Sequence, residues 1–243
     1  MKIVFHPEFY RVYTADPAAE EGRMEAIISE LKDYEIVEPE KAEKEDILLV
    51  HTERHYEWVR NETGVYDVAI LAAGGAILAS EIAFEEPAFA AVRPPGHHAS
   101  PDSSWGFCYF NNIAIAVRKL TIREKIERAA VVDFDLHFGD GTANTFRDDE
   151  RVSYFHMKGG DVNGIAEFLE SAEYDIVAAS AGFDRAKEDW GGILDREDYT
   201  EIGKILKEYP EDRCDGRRFA VLEGGYNHAV LGKNVRAFLR GFE

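Results

Sequence analysis

The chain has 243 residues, 45% of them hydrophobic, and a formal net charge of −19. It is long enough to bury a sizeable core, and no stretch approaches the roughly 18 consecutive apolar residues of a membrane span. The charge argues against nonspecific nucleic-acid binding, which needs Lys and Arg on phosphates, and suits cationic substrates, although Glu-rich stretches such as 38–46 and 148–150 read first as solvated faces.

In chain order, the apolar start at 3–6 is too short for a signal peptide and reads as a first strand. Residues 20–32 carry Met24, Ile27, Ile28 and Leu31 at helical spacing, and Thr52 is placed to cap a helix holding Tyr56 and Val59. The Ala-rich stretch 65–84 predicts a helix packed tightly on a sheet, followed by a strand at 88–92 and a second such helix at 111–120. Strands at 129–133, 152–155, 175–180 and 219–222 are apolar nearly throughout, and a helix at 229–239 closes the chain. Strands alternating with helices imply an α/β fold: one domain over 1–243, with a largely parallel sheet covered by helices on both faces. Cys108 and Cys214 make no disulfide framework, so a reducing cytoplasm is the expected compartment, and Cys108 reads as a small buried hydrophobe.

The polar residues gather where the strands end, which is where open parallel sheets bind ligands. Extended backbone puts Asp133, Asp135 and His137 on one face, and three such groups beside an apolar run need a common partner. A divalent metal on Asp135 and His137 supplies one, with Asp133 behind them as an acceptor and Asp184, at the end of another apolar strand, as third ligand. Three ligands leave positions open for chemistry. The donor set suits Zn²⁺ and would accept Fe²⁺, Mn²⁺ or Co²⁺. His97 and His98 follow a rigid Pro94-Pro95-Gly96 turn. Consecutive side chains diverge, so one imidazole reads as general base and acid and the other as its electrostatic partner, with Asp133 and Asp140 as tuners. Asp140 would alternatively cap a helix starting near Gly141. Tyr226, on a Gly224-Gly225 hinge, would swing a phenol onto a developing oxyanion. Phe107, beside Gly106, reads as a wall for an aliphatic chain. His6, His51, His55, His156 and His228 read as structural or surface residues.

Arg93-Pro-Pro-Gly-His-His98, Gly106-Phe-Cys-Tyr-Phe-Asn-Asn112, Asp133-Phe-Asp-Leu-His-Phe-Gly-Asp-Gly141, Ser180-Ala-Gly-Phe-Asp184 and Glu223-Gly-Gly-Tyr226 stand in the order of their counterparts in the histone deacetylase and acetylpolyamine amidohydrolase superfamily. From about residue 65 to 242 the chain resembles that family's bacterial, class II-like branch. The resemblance implies the arginase/deacetylase fold and Zn²⁺-dependent hydrolysis of an N-acyl amide such as an acetyl-lysine or acetylpolyamine. It implies Asp135, His137 and Asp184 as metal ligands, and His98 as the main general base with His97 as its partner. It also implies Tyr226 as carbonyl polariser, Asp133 and Asp140 orienting His97 and His98, and Phe107 lining the acyl tunnel.

Four departures bear on function. The segment 185–192 after Asp184 is one residue shorter than the family's, which leaves the position that separates polyamine from peptide specialists unaligned. The usual histidine-, proline- and arginine-bearing N-terminal segment is replaced by residues 14–23. After His156 the family's long excursion, which supplies a second aromatic wall, gives way to Met157-Lys158-Gly159-Gly160, predicting a wider, more exposed site that tolerates larger acyl groups. The family's structural potassium site uses a Ser hydroxyl where this chain has Tyr154, which puts a bound K⁺ in question. Two competing readings are a non-catalytic acyl-amine binding protein and a binuclear manganese ureohydrolase.

Overall fold

Seven parallel strands make one sheet in the order β2-β1-β3-β7-β6-β4-β5. They are β1 (Lys2–Val4), β2 (Glu35–Val37), β3 (Ala88–Ala90), β4 (Ala129–Asp133), β5 (Val152–His156), β6 (Ile176–Ala181) and β7 (Arg218–Leu222). The computed structural model describes residues 1–243. Every residue of β3, β4, β6 and β7 is buried. Because successive side chains point to opposite faces, burial at every position means that both faces are covered.

The helices are α1 (Arg23–Ser29), α2 (Lys44–Ile47), α3 (Glu53–Arg60), α4 (Tyr66–Ile82), α5 (Asn112–Ile122), α6 (Asp140–Phe146), α7 (Asn163–Ser171), α8 (Arg196–Arg213) and α9 (His228–Phe242). They form two groups, α4 against α5, and α9 against α1 and α8. Thr52 caps α3 through its hydroxyl, accepting from His55 N at 3.2 Å, and Asn111 caps α5 by accepting from Ala114 N at 3.1 Å. Elements outside the sequence expectation are β2, α2, α7 and α8. The edge strand β2 is mostly exposed and shows no apolar run. In α8 the apolar stripe of Tyr199, Ile202, Ile205 and Leu206 is narrow among charged residues, and Pro210 lies inside the helix.

The strand β4 ends at Asp133, and the extended backbone expected through His137 gives way to a bend in which Asp135 N donates to Asp133 Oδ1 at 3.1 Å and His137 N to Asp135 Oδ1 at 2.9 Å. Phe134 is buried between Asp133 and Asp135, and Phe183 beside Asp184. Phe134 packs on Phe183 and Phe238 at centroid distances of 5.9 and 5.2 Å, and Phe183 on Tyr199 at 5.1 Å. Burying a Phe contributes about 1.5–3 kcal/mol, so the same residues that stabilise the core fix which way the intervening carboxylates face.

Candidate metal centre and active site

The segments bearing the polar motifs follow β3, β7, β6 and β4, four adjacent strands. Asp135, His137 and Asp184 come together, with one donor atom from each inside a 4.8 Å span. His137 Nδ1 lies 3.1 Å from Asp184 Oδ2 and 3.3 Å from Asp135 Oδ1. Those separations are close to the ~3.4 Å between ligand atoms set tetrahedrally around an ion at about 2.1 Å, so the donors fit a single divalent metal. The carboxylates are held by main-chain N–H groups. Gly224 donates to Asp135 Oδ2 at 2.8 Å and Leu136 to Asp184 Oδ1 at 3.0 Å. Only glycine permits the first, because a Cβ on residue 224 would lie 2.6 Å from Asp135 Oδ2.

The electrostatics call for a cation here. Hydrogen bonds to Asp135 and Asp184 raise His137 to about 10, so without a metal the imidazolium carries the compensating charge. Burial and then the Asp135 charge push Asp184 up. Burial would do the same to Asp135, but the His97 charge and hydrogen bonds from His137 hold it below the usual range.

His97 and His98 lie across from this cluster, ring centroids 4.0 Å apart. His97 Nδ1 donates to Asp133 Oδ2 at 3.0 Å, and His98 Nδ1 to Asp140 Oδ1 at 2.7 Å. Burial works against a charge on His97, yet Asp135 and Asp133 raise it well above the ordinary imidazole range. Burial and then the His97 charge push His98 down to about 4, against the pull of Asp140. The neutral imidazole donates from Nδ1 and therefore keeps Nε2 free as a base. Asp140 is the first residue of α6, which Gly139 caps. Its carboxylate turns to His98 and Trp105, and this replaces the helix-cap expectation.

Gly106 and Phe107 both have positive φ, 59° and 69°. A Cβ at Gly106 would meet His98 Cδ2 at 2.6 Å, so glycine alone lets this turn pass the imidazole. The unusual backbone at Phe107 sits beside the cavity and aims its ring at Tyr226, 5.9 Å away edge-on. The Tyr226 ring is clamped: Trp190 stacks on it at 4.1 Å, and the Arg23 guanidinium lies 5.6 Å from its centroid. Asp189 Oδ2 accepts from the backbone N–H groups of Tyr226 and Asn227, both at 2.7 Å. The Gly224-Gly225 turn is thus pinned and does not act as a free hinge. Burial first, then the charge of Asp135, raises the Tyr226 phenol, keeping its proton available to donate.

The cavity among these groups has a volume of about 120 Å³ and is walled by His98, Trp105, Phe107, His137, Trp190 and Tyr226. No residue of the short loop after His156 lines the cavity, and Trp190 forms one of its walls. Its ring meets Phe107 at 6.5 Å and His137 at 6.2 Å, both edge-on. Trp105 is a second wall absent from the sequence expectation. Its ring lies 3.8 Å from that of His98, and its indole N–H donates to Asp140 at 2.9 and 3.1 Å. The sequence signal for both walls is a tryptophan directly before a glycine, Trp105-Gly106 and Trp190-Gly191. Glu223 opens the Glu-Gly-Gly-Tyr motif, and its sequence context points to no role for it. It is fully buried, and its Oε2 accepts from Gly96 N at 2.7 Å and His97 N at 3.2 Å. Outside the site, His51 Nδ1 donates to Ser100 O at 3.1 Å and Nε2 accepts from Asn111 N at 2.9 Å, a structural link.

A family model described as "Histone deacetylase domain" matches residues 18–161 and 163–242. A "Probable deacetylase" of Archaeoglobus fulgidus is 34% identical, covering 93% of this chain and 81% of its own length. Its alignment runs over 296 positions against 243 residues here, so that relative carries segments this chain lacks. A "Probable deacetylase" of Methanothermobacter thermautotrophicus is 31% identical over 99% of this chain and 90% of its own. The crystal structure of the HD domain of HDA15 superposes with a TM-score of 0.86 at 22% identity, covering 98% of this chain and 88% of that one, which speaks to the fold.

Proposed function

The chain belongs to the histone deacetylase family, and on that premise we propose that residues 1–243 form one catalytic domain that removes acetyl or another short acyl group from an amine, using a single divalent metal, Zn²⁺ by preference. The observation that carries this reading is the Asp135–His137–Asp184 cluster facing His98 and Tyr226 across one small cavity. Two oxygen donors and one nitrogen suit Zn²⁺ while leaving coordination open. Bound there, the ion would polarise the scissile carbonyl and acidify the attacking water.

The chain's own groups divide the remaining work. His98 Nε2, left free by the Nδ1–Asp140 bond, takes the proton of the attacking water and returns it to the leaving amine. His97, held charged by Asp133 and Asp135, stabilises negative charge and keeps His98 a neutral base. The Tyr226 phenol donates to the carbonyl oxygen as it becomes an oxyanion. Phe107 and Trp190 exclude water beside the acyl group, and a cavity of about 120 Å³ suits acetyl over long acyl chains.

The substrate class we favour is an acyl-amine bearing positive charge, acetyl-lysine or an acetylpolyamine, drawn by the net charge of −19. No helix is long and apolar enough to cross a membrane. Two buried free cysteines fit a reducing cytoplasm. A single three-donor cluster speaks for one metal rather than the two of a ureohydrolase. The test is metal content together with kcat/KM for an acetyl-lysine amide and an acetylpolyamine at low and high salt. We expect one equivalent of Zn²⁺, turnover of both, and polyamine capture that weakens with salt. Stoichiometric metal without turnover of any acyl-amine would favour the binding-protein reading.

A further inference from the structure

Arg185 follows the proposed ligand Asp184 directly, and its guanidinium is buried at 2% exposure. A buried guanidinium ordinarily pairs with a carboxylate. This one does not: its hydrogen bonds run to main-chain carbonyls. Nε bridges Phe134 O and Asp135 O, both at 3.0 Å, Nη1 donates to Gly159 O at 2.6 Å, and Nη2 donates to Met157 O. His156 Nε2 lies 3.2 Å from Nη2 and 3.0 Å from Asp135 O. A ring of inward-turned carbonyls beneath an acidic cluster is how a protein replaces the hydration shell of a bare monovalent cation. Here the ring encloses a side-chain cation. Burial opposes its charge, while Asp135, Asp184 and Asp133 sustain it without touching it.

A potassium ion of the kind the family resemblance implies does not fit this arrangement. Asp135 O already accepts from Arg185 Nε at 3.0 Å. The Tyr154 hydroxyl, standing where that site would use a serine, donates to Asp133 Oδ2 at 2.9 Å and accepts from Gly139 N at 3.1 Å. The two carbonyls supplied by residues 157 and 159 belong to the short loop that replaces the long excursion, so the loop closes onto the guanidinium.

We propose that Arg185 is a built-in monovalent cation. It fixes the backbone behind Asp135 and balances the carboxylates, so the metal site works without a bound K⁺. A tethered charge needs no capture from solution and cannot be exchanged. Arg185 is a positioning residue in this scheme, since it acts on Asp135 and the loop and touches no substrate.

The inference rests on the metal-site reading, so the experiment separates the two. Zn²⁺ affinity of the chelator-treated protein is measured by competition with an indicator, in K⁺, Na⁺ or tetramethylammonium as the sole monovalent cation at constant ionic strength. Failure of the wild-type chain to bind Zn²⁺ in any of them sinks the metal reading and this inference with it. Binding that changes by less than about twofold among the three cations is expected, whereas a tenfold preference for K⁺ overturns this inference alone. Arg185→Ala should weaken Zn²⁺ binding by about 10–100-fold, the cost of losing a group that orients metal ligands. Guanidinium or K⁺, and not tetramethylammonium, should recover part of it. Unchanged affinity in Arg185→Ala, or a loss that no cation repairs, also overturns the inference. Should that variant fail to fold, the wild-type cation comparison decides by itself.

Discussion

Trp190 lies nearly flat on Tyr226, ring centroids 4.1 Å apart and planes 29° apart. Trp190 is 53% exposed, and Asp189 beside it accepts the Tyr226 main-chain N–H. One short segment therefore orients the phenol from both its ring and its backbone. Trp190→Ala removes the stack, worth about 0.5–1.5 kcal/mol, and empties one wall of the cavity. We expect kcat for an acetyl substrate to fall by up to about tenfold, while the butyryl-to-acetyl ratio of kcat/KM rises. An unchanged ratio would show that Trp190 does not limit acyl size.

Asp184→Ala and His137→Ala each leave two protein ligands on a site arranged for three. Both variants should lose stoichiometric Zn²⁺ and activity together. Asp184→Ala also strips the acceptor from Leu136 N, so circular dichroism must accompany the metal assay. Full metal occupancy with near-normal turnover in either variant would overturn the ligand assignment.

His98→Ala should retain metal and lose at least about 10²-fold in kcat, the low end for a general acid–base group, with His97→Ala milder. Tyr226→Phe deletes one oxyanion donor and should cost about 10²–10³-fold in kcat with little change in substrate binding. If His97→Ala proves the more damaging substitution with metal still bound, the two imidazoles exchange roles. A normal rate in Tyr226→Phe would leave oxyanion stabilisation to the metal alone.

The strands that place the site were legible because their residues are apolar on both faces, as in Ala129–Val132, and a polar residue ending such a run has to be explained. The carboxylates and imidazoles were legible for the same reason. What escaped the sequence was lateral contact between segments distant in the chain. Trp190 meets Tyr226 from 36 positions away and Trp105 meets Asp140 from 35. No periodicity links such residues, so neither aromatic wall can be assigned from spacing along the chain. Arg185 escaped because a charged residue after a strand reads as exposed; only the carbonyls of Phe134, Met157 and Gly159 reveal why it is inside.

Glu223 gives the fold a pH dependence of predictable sign. Burial first, opposed by the His97 charge and the Gly96 N–H, raises its carboxyl from 4.5 to about 7. The folded state thus holds this proton more tightly than the unfolded state. The stability it contributes is complete below about pH 4.5 and is lost as pH rises through about 7. At about 1.4 kcal/mol per unit the ceiling is roughly 3 kcal/mol, or roughly 6–12 °C in Tm for a chain of this size. Glu223→Gln retains the geometry without the titration: its amide oxygen accepts from Gly96 and His97, and its NH₂ donates to Ser180, replacing the 3.1 Å bond made by Glu223 Oε1. Melting of chelator-treated protein between pH 5 and 8 should show the variant gaining on the wild type as pH rises. Parallel curves would mean that Glu223 is ionised throughout and that His97 compensates it fully.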